Sequence, residues 1–217
     1  NSDAFIVKFD SSGVRQWGTY YGGNGVDNGK DITVYNTGSI YIIGSTESST
    51  AISTIGAHQT TLGSTVNAFL VKFDNNGIRQ WGTYFGGGNG EGNAIDIDIY
   101  SNIYITGVTY SSNSIATAGT HQTIMGGLYD TYIVKFDSNG VRKWGTYYGG
   151  SGYDAGLGIC LDSVANIYLT GFTSSTNAIA TTGAHQITYG GSNGDGFISK
   201  FNNNGILLWG TYYGGSL

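Results

Sequence analysis

Asp3-Ala-Phe-Ile-Val-Lys-Phe-Asp-Ser-Ser-Gly-Val-Arg-Gln-Trp-Gly-Thr-Tyr-Tyr-Gly-Gly23 lies at the start of the chain and returns at 67–87, 130–150 and 195–215. Its tryptophans Trp17, Trp81, Trp144 and Trp209 are spaced by 64, 63 and 65 residues. Side chains alternate along a strand, so Phe5, Val7 and Phe9 share one face. The turn Asp10-Ser-Ser-Gly13 follows, with glycine where a positive φ is needed. A second strand then runs over about 14–21 and sets Trp17, Thr19 and Tyr21 on one face. Between copies of this hairpin two further landmarks recur. One is an aromatic strand ending in glycine: Ile40-Tyr-Ile-Ile-Gly44, Ile103-Tyr-Ile-Thr-Gly107 and Ile167-Tyr-Leu-Thr-Gly171. The other is a loop motif: Gly56-Ala-His58-Gln, Gly119-Thr-His121-Gln and Gly183-Ala-His185-Gln.

The unit is therefore about 64 residues, and each unit reads as four strands, the remaining two lying near 31–35 and 39–44. No stretch sustains a 3.6-residue period; 55–62 is at most one helical turn. Several strands carry apolar groups on both faces, as required of a small sheet packed between two others. A repeat of four short antiparallel strands predicts an all-β, β-propeller-type array of blades. An open β-sheet solenoid or superhelix shares the same local structure and is the alternative. The blades fall at about 30–86, 93–149 and 156–214, with a partial blade at 3–23. These three and a half blades hold fourteen strands, and no regular ring closes from them alone. Exposed blade faces attract partners, so the expected partners are identical subunits or the remainder of a longer parent chain.

Composition narrows the function. Glycine is 38 of 217 residues, proline is absent, and only 11% of residues are charged. Collagen is excluded because glycine does not recur every third position with proline. No apolar run approaches the ~18 residues of a membrane-spanning helix, and no membrane insertion is expected. The net charge of −5 and the lack of a basic stripe argue against nucleic acid. Cys160 is the single cysteine, so no intrachain disulfide forms. The first residues show no signal peptide, and the chain is expected to be a mature product or an excised segment.

Taken in order, Asp-Ala-Phe-Ile-Val-Lys-Phe, Trp-Gly-Thr-Tyr-Tyr-Gly-Gly, Asn-Ile-Tyr-Ile-Thr-Gly and Gly-Ala-His-Gln-Thr resemble the bacterial SBBP-type β-propeller repeat over essentially the whole chain. The resemblance implies a large secreted or surface-attached protein, often from Bacteroidota and often adhesive. It supplies no catalytic residues. The family commonly carries proline in the loop before Gly-Ala-His-Gln, which here reads Asn177-Ala-Ile-Ala-Thr-Thr-Gly183.

The chemistry-bearing residues repeat with the fold, whereas a catalytic centre needs one asymmetric site; no catalytic residue is assigned and no enzyme is expected. His58, His121 and His185 lie one repeat apart, too far to share a metal at ~2.1 Å, and are read with Trp17, Trp81, Trp144 and Trp209 as structural repeat positions. Asp10, Asp74, Asp137 and Asn202 are read as turn formers. Asp27, Glu91 and Asp154 sit singly in Gly/Asn loops, where Ca²⁺ is conceivable but not expected; no cofactor or metal is assigned. Asp96 and Asp98 are read as a solvated strand edge. The weak candidates for binding are Tyr20, Tyr84, Tyr147 and Tyr212, whose rings would stack on glycans in a multivalent carbohydrate-binding (lectin-like) propeller. That is the alternative to the main expectation, a non-catalytic extracellular structural or adhesive repeat protein. It would be a building block of a surface assembly or filament, or a segment of a large surface adhesin.

Overall fold

A computed structural model describes residues 2–36, 38–191 and 193–216. It holds fourteen strands: β1 (Ala4–Phe9), β2 (Arg15–Tyr21), β3 (Asp27–Val34), β4 (Ile40–Thr46), β5 (Asn67–Phe73), β6 (Arg79–Phe85), β7 (Gly90–Ile97), β8 (Ile103–Thr109), β9 (Asp130–Phe136), β10 (Arg142–Tyr148), β11 (Asp154–Leu161), β12 (Ile167–Thr173), β13 (Asp195–Phe201) and β14 (Leu207–Tyr213). There is no helix among the described residues; 55–62 forms only turns and bends. The sheets are β1-β2, β3-β4-β5-β6, β7-β8-β9-β10 and β11-β12-β13-β14, every neighbouring pair antiparallel.

The sheets stack face to face as propeller-like blades and do not close a ring. The first strands form the inner seam: β7 packs on β3, β4 and β5, and β11 on β7, β8 and β9. The pair β1-β2 is the outer half of a blade, resting on the first full sheet through Ala4, Ile6 and Tyr21 against Ile42, Phe69 and Val71. The strands β3, β7 and β11 begin earlier than the apolar pattern suggests, at Asp27, Gly90 and Asp154. Their glycine-rich starts are hydrogen-bonded ladder residues, and each strand carries a bulge, between Gly29 and Asp31, Gly92 and Ala94, and Gly156 and Gly158. A bulge leaves one residue unpaired and bends the strand.

These bulges explain the glycine that ends each aromatic strand. A Cβ on Gly44, Gly107 or Gly171 would run into the carbonyl oxygen of Asn28, Glu91 or Ala155 respectively, just before the bulge on the neighbouring strand. The ring of Phe69 or Phe197 closes over Gly44 and Gly171 from the other side. No side-chain rotation relieves a clash with backbone. Gly107→Ala is accordingly expected to cost about 3 kcal/mol or more, lowering the melting temperature by roughly 6–12 °C for a chain of this size. Thermal unfolding followed by circular dichroism measures it, and an unchanged midpoint would show that the bulge is not fixed.

Candidate functional site at the blade junctions

Each blade grips the next through the same device, built from the outer hairpins. The indole N–H of Trp17 donates to the Asn75 carbonyl at 3.1 Å, Trp81 to Ser138 at 3.2 Å, and Trp144 to Asn203 at 3.0 Å. Each acceptor lies in the turn between the third and fourth strands of the following blade. The turn can be this close because its glycine has no side chain: a Cβ on Gly77, Gly140 or Gly205 would lie about 3 Å from the ring of Trp17, Trp81 or Trp144. A lysine on the strand beside each tryptophan reaches the same turn. Lys8 donates to Asn75, Lys72 to the Ser138 carbonyl at 3.3 Å, and Lys135 to Asn203 Oδ1. The stems of Lys72 and Lys135 carry their ammonium groups over the rings of Tyr41 and Tyr104.

The turns are held by their own acids. Asp10, Asp74 and Asp137 each accept two backbone N–H groups through Oδ1, as Asn202 does in the last unit, at 2.9–3.1 Å. A neighbouring Lys143 ammonium at 2.8 Å and these hydrogen bonds outweigh partial burial and hold the Asp137 carboxyl below its ordinary range.

Aromatic rings complete the grip. Tyr21 meets Phe69 and Phe73 at 5.0 and 5.9 Å; Tyr148 meets Phe197 and Phe201 at 5.3 and 5.4 Å. His58 lies on Phe85 and edge-on to Phe136, and His121 on Tyr148 and edge-on to Phe201. The histidines are thus junction residues, with packing that holds the imidazoles of His58 and His121 below their ordinary pKa; for His58 the Arg142 guanidinium adds to the effect.

The tyrosines proposed for sugar stacking divide unequally. Tyr84, Tyr147 and Tyr212 are buried, their hydroxyls donating to the carbonyls of Ser48, Ser111 and Ser175. Burial raises the phenols of Tyr147 and Tyr212 to about 12. These three rings have no free face, which corrects their assignment as stacking groups. Tyr20 is 77% exposed, its face uncovered by the described residues.

The acids are also placed differently from a solvated edge. Asp96 Oδ2 accepts the Leu161 N–H of the next blade at 2.8 Å, as Asp31 accepts the Ile95 N–H at 2.9 Å. Asp98 is buried and accepts from Tyr100, Asn102 and Tyr104. Polar alternation alone looks the same whether a carboxylate meets water or the backbone of a neighbouring blade, so the sequence did not distinguish them. Asp27 and Asp154 face inward onto Thr46 and Ser48, and onto Thr173 and Ser175. Glu91 lies 3.9 Å from Lys30. Among the described residues no group of three or more His, Cys, Asp or Glu side chains is placed to hold a metal.

Two features break the repeat. The first is the pair of open ends. At the head, Phe5 and Phe9 are 73% and 56% exposed, whereas their counterparts Phe69 and Phe73 are buried. At the tail, Trp209 and Tyr213 are 37% and 66% exposed, and buried Asp195 Oδ1 has no hydrogen-bond partner. The second is a surface cluster that occurs once among the described residues: Tyr110 and Tyr129 at 4.1 Å, Tyr129 and Tyr153 at 5.1 Å, and Tyr153 and Phe172 at 6.0 Å. The corresponding positions of other repeats hold residues such as Glu47, Val66, Val26 and Ser45, a departure visible in the sequence once the units are aligned.

No protein-family profile matches the chain. A curated relative, the uncharacterized WD repeat-containing protein L264 of Acanthamoeba polyphaga mimivirus, is 27% identical over 176 residues. The match covers 68% of this chain and 13% of that protein's length. Together with the stacked four-stranded sheets, this likeness describes a repeat protein of β-propeller type.

Proposed function

We propose that the chain is a non-catalytic structural module of an extracellular or cell-surface assembly, working as a rigid array of blades joined to further copies at its ends. One observation carries this reading: the head and tail display aromatic surfaces that are buried at the internal junctions. Monomeric proteins seldom leave such surfaces bare. The SBBP-type resemblance supports the extracellular placement and the kinship with surface adhesins. Electron microscopy of the purified native protein tests it. Filaments or multi-subunit rings are expected; isolated single arcs at every concentration would contradict it.

A second reading, carbohydrate binding, is favoured by the cluster of exposed Tyr110 and Tyr153 with half-buried Tyr129 and Phe172, since sugars stack on exposed aromatic faces. It replaces the repeated tyrosines with one asymmetric platform. Titration with mono- and oligosaccharides, followed through the tyrosine ring resonances, should shift Tyr110 and Tyr153 selectively. The absence of any shift at roughly millimolar sugar, the affinity expected of one weak site, would dismiss it.

A further inference from the structure

The tail of the chain carries an unfilled copy of the internal junction. Its centre is a shallow cleft of about 510 Å³ lined by Thr181, Ala184, His185, Ile198, Leu208 and Trp209. The same place two junctions earlier, among Thr54, Ala57, His58 and Trp81, is reduced to about 90 Å³ because Asn139 and Gly140 of the next blade's turn occupy it. Around the tail cleft every gripping group is present and lacks its mate. Trp209 stands in the register of Trp144, opposite Lys200 as Trp144 is opposite Lys135. Lys200 lies over the Tyr168 ring as Lys72 and Lys135 lie over Tyr41 and Tyr104, but it pairs with Asp162 of its own blade at 3.6 Å where they reach the next blade's turn. His185 touches Tyr213 as His121 touches Tyr148, but no second ring arrives like Phe201 on His121.

The head carries the missing mates. Turn 10–13 has the Asx geometry and positive-φ glycine of the three turns that seat on tryptophan, and a Cβ on Gly13 would meet nothing within 4 Å. Beside that turn the same strand presents Phe9 and Phe5 outward, in the positions of Phe201 and Phe197.

We propose that the tail of one copy seats the β1-β2 hairpin of a second copy. Trp209 Nε1 and Lys200 donate to turn 10–13 at the Ser11 carbonyl, Phe9 packs against His185 and Tyr213, and Phe5 against Tyr213. The occupant is a second copy because this hairpin matches the seat residue for residue, and the joint continues the register of three junctions already formed within the chain. The contact is heterologous, head to tail, so it propagates into a filament or closes into a ring depending on its rotation. Only the outer strand pair of the incoming copy is engaged, which places the joint among small, micromolar interfaces. The proposal rests on the assembly reading above and supplies its joint.

Sedimentation velocity over roughly 1–200 μM brackets such an affinity. The full chain is compared with a head variant, Phe5→Ser with Phe9→Ser, and two tail variants, Trp209→Ala and Tyr213→Ser. Circular dichroism confirms folding, and Tyr213→Ser, at a largely exposed position, serves if Trp209→Ala fails to fold. The wild type is expected to grow in mass with concentration, while each variant alone stays monomeric. An equimolar mixture of head and tail variants is expected to stop at a dimer, because one intact tail and one intact head remain. A monomeric wild type would overturn the proposal and the assembly reading together. Variants that assemble like the wild type, or a mixture without dimer, would overturn the proposal alone and leave assembly to another surface.

Discussion

The structure depends on a hydrogen bond between one blade's tryptophan and the backbone of the next blade's turn. Taken singly, an N–H to carbonyl bond contributes about 1 kcal/mol net. It acts here as a register pin, because the indole must lie flat against a turn whose glycine admits it. With Trp81 so fixed, the Lys72 ammonium reaches the same turn and the ring of Phe136 arrives over Phe85 and His58. Aromatic pairs of this geometry add roughly 0.5–1.5 kcal/mol each beyond the area they bury. Cohesion is therefore a nearest-neighbour property, as in other linear repeat arrays. Few contacts join blades that are not adjacent, and the terminal sheets are held from one side only.

Much of this was legible in the residues. The recurrence of Phe-x-Val-Lys-Phe, turn, Trp-Gly-Thr-Tyr-Tyr at about 64 residues yields the hairpins, because alternation and turn glycines are local signals. The all-β class and the open ends follow from counting strands. The tyrosine pairs were harder. In Tyr147-Tyr148 the two rings point to opposite faces, and a sheet packed on both sides buries both. Alternation identifies the faces but not which of them meets a neighbour. Asp96 differs from a solvated edge for the same reason, since the N–H of Leu161 belongs to another blade and leaves no trace near it in sequence; Asp98 instead caps the turn that follows its own strand, accepting from Tyr100 and Asn102. The bulges at Gly29, Gly92 and Gly156 hid the true starts of the inner strands, because a bulge breaks the period-two pattern by which strands are recognised.

The repeat is also imperfect in an informative way. Buried Asp27 and Asp154 anchor hydroxyls at the start of β3 and β11, while Gly90 stands there in β7 and Asn67 and Asn89 take over the local bonding. Burial and the neighbouring Asp154 raise the Asp130 carboxyl above its ordinary range, although Gly126, Gly127 and Gln122 all donate to it. The middle junction avoids that repulsion with amides. Such variation shows that the hydrogen-bond pattern, rather than the charge, is what the junction needs.

The central claim is that each tryptophan is locked by the blade that follows it. Exchange of the indole N–H protons, read from their four resonances in dilute protein, tests this most directly. The account predicts slow exchange for Trp17, Trp81 and Trp144 and free exchange for Trp209, whose indole meets no turn among the described residues. Equal protection of Trp209, or free exchange at all four, would contradict it.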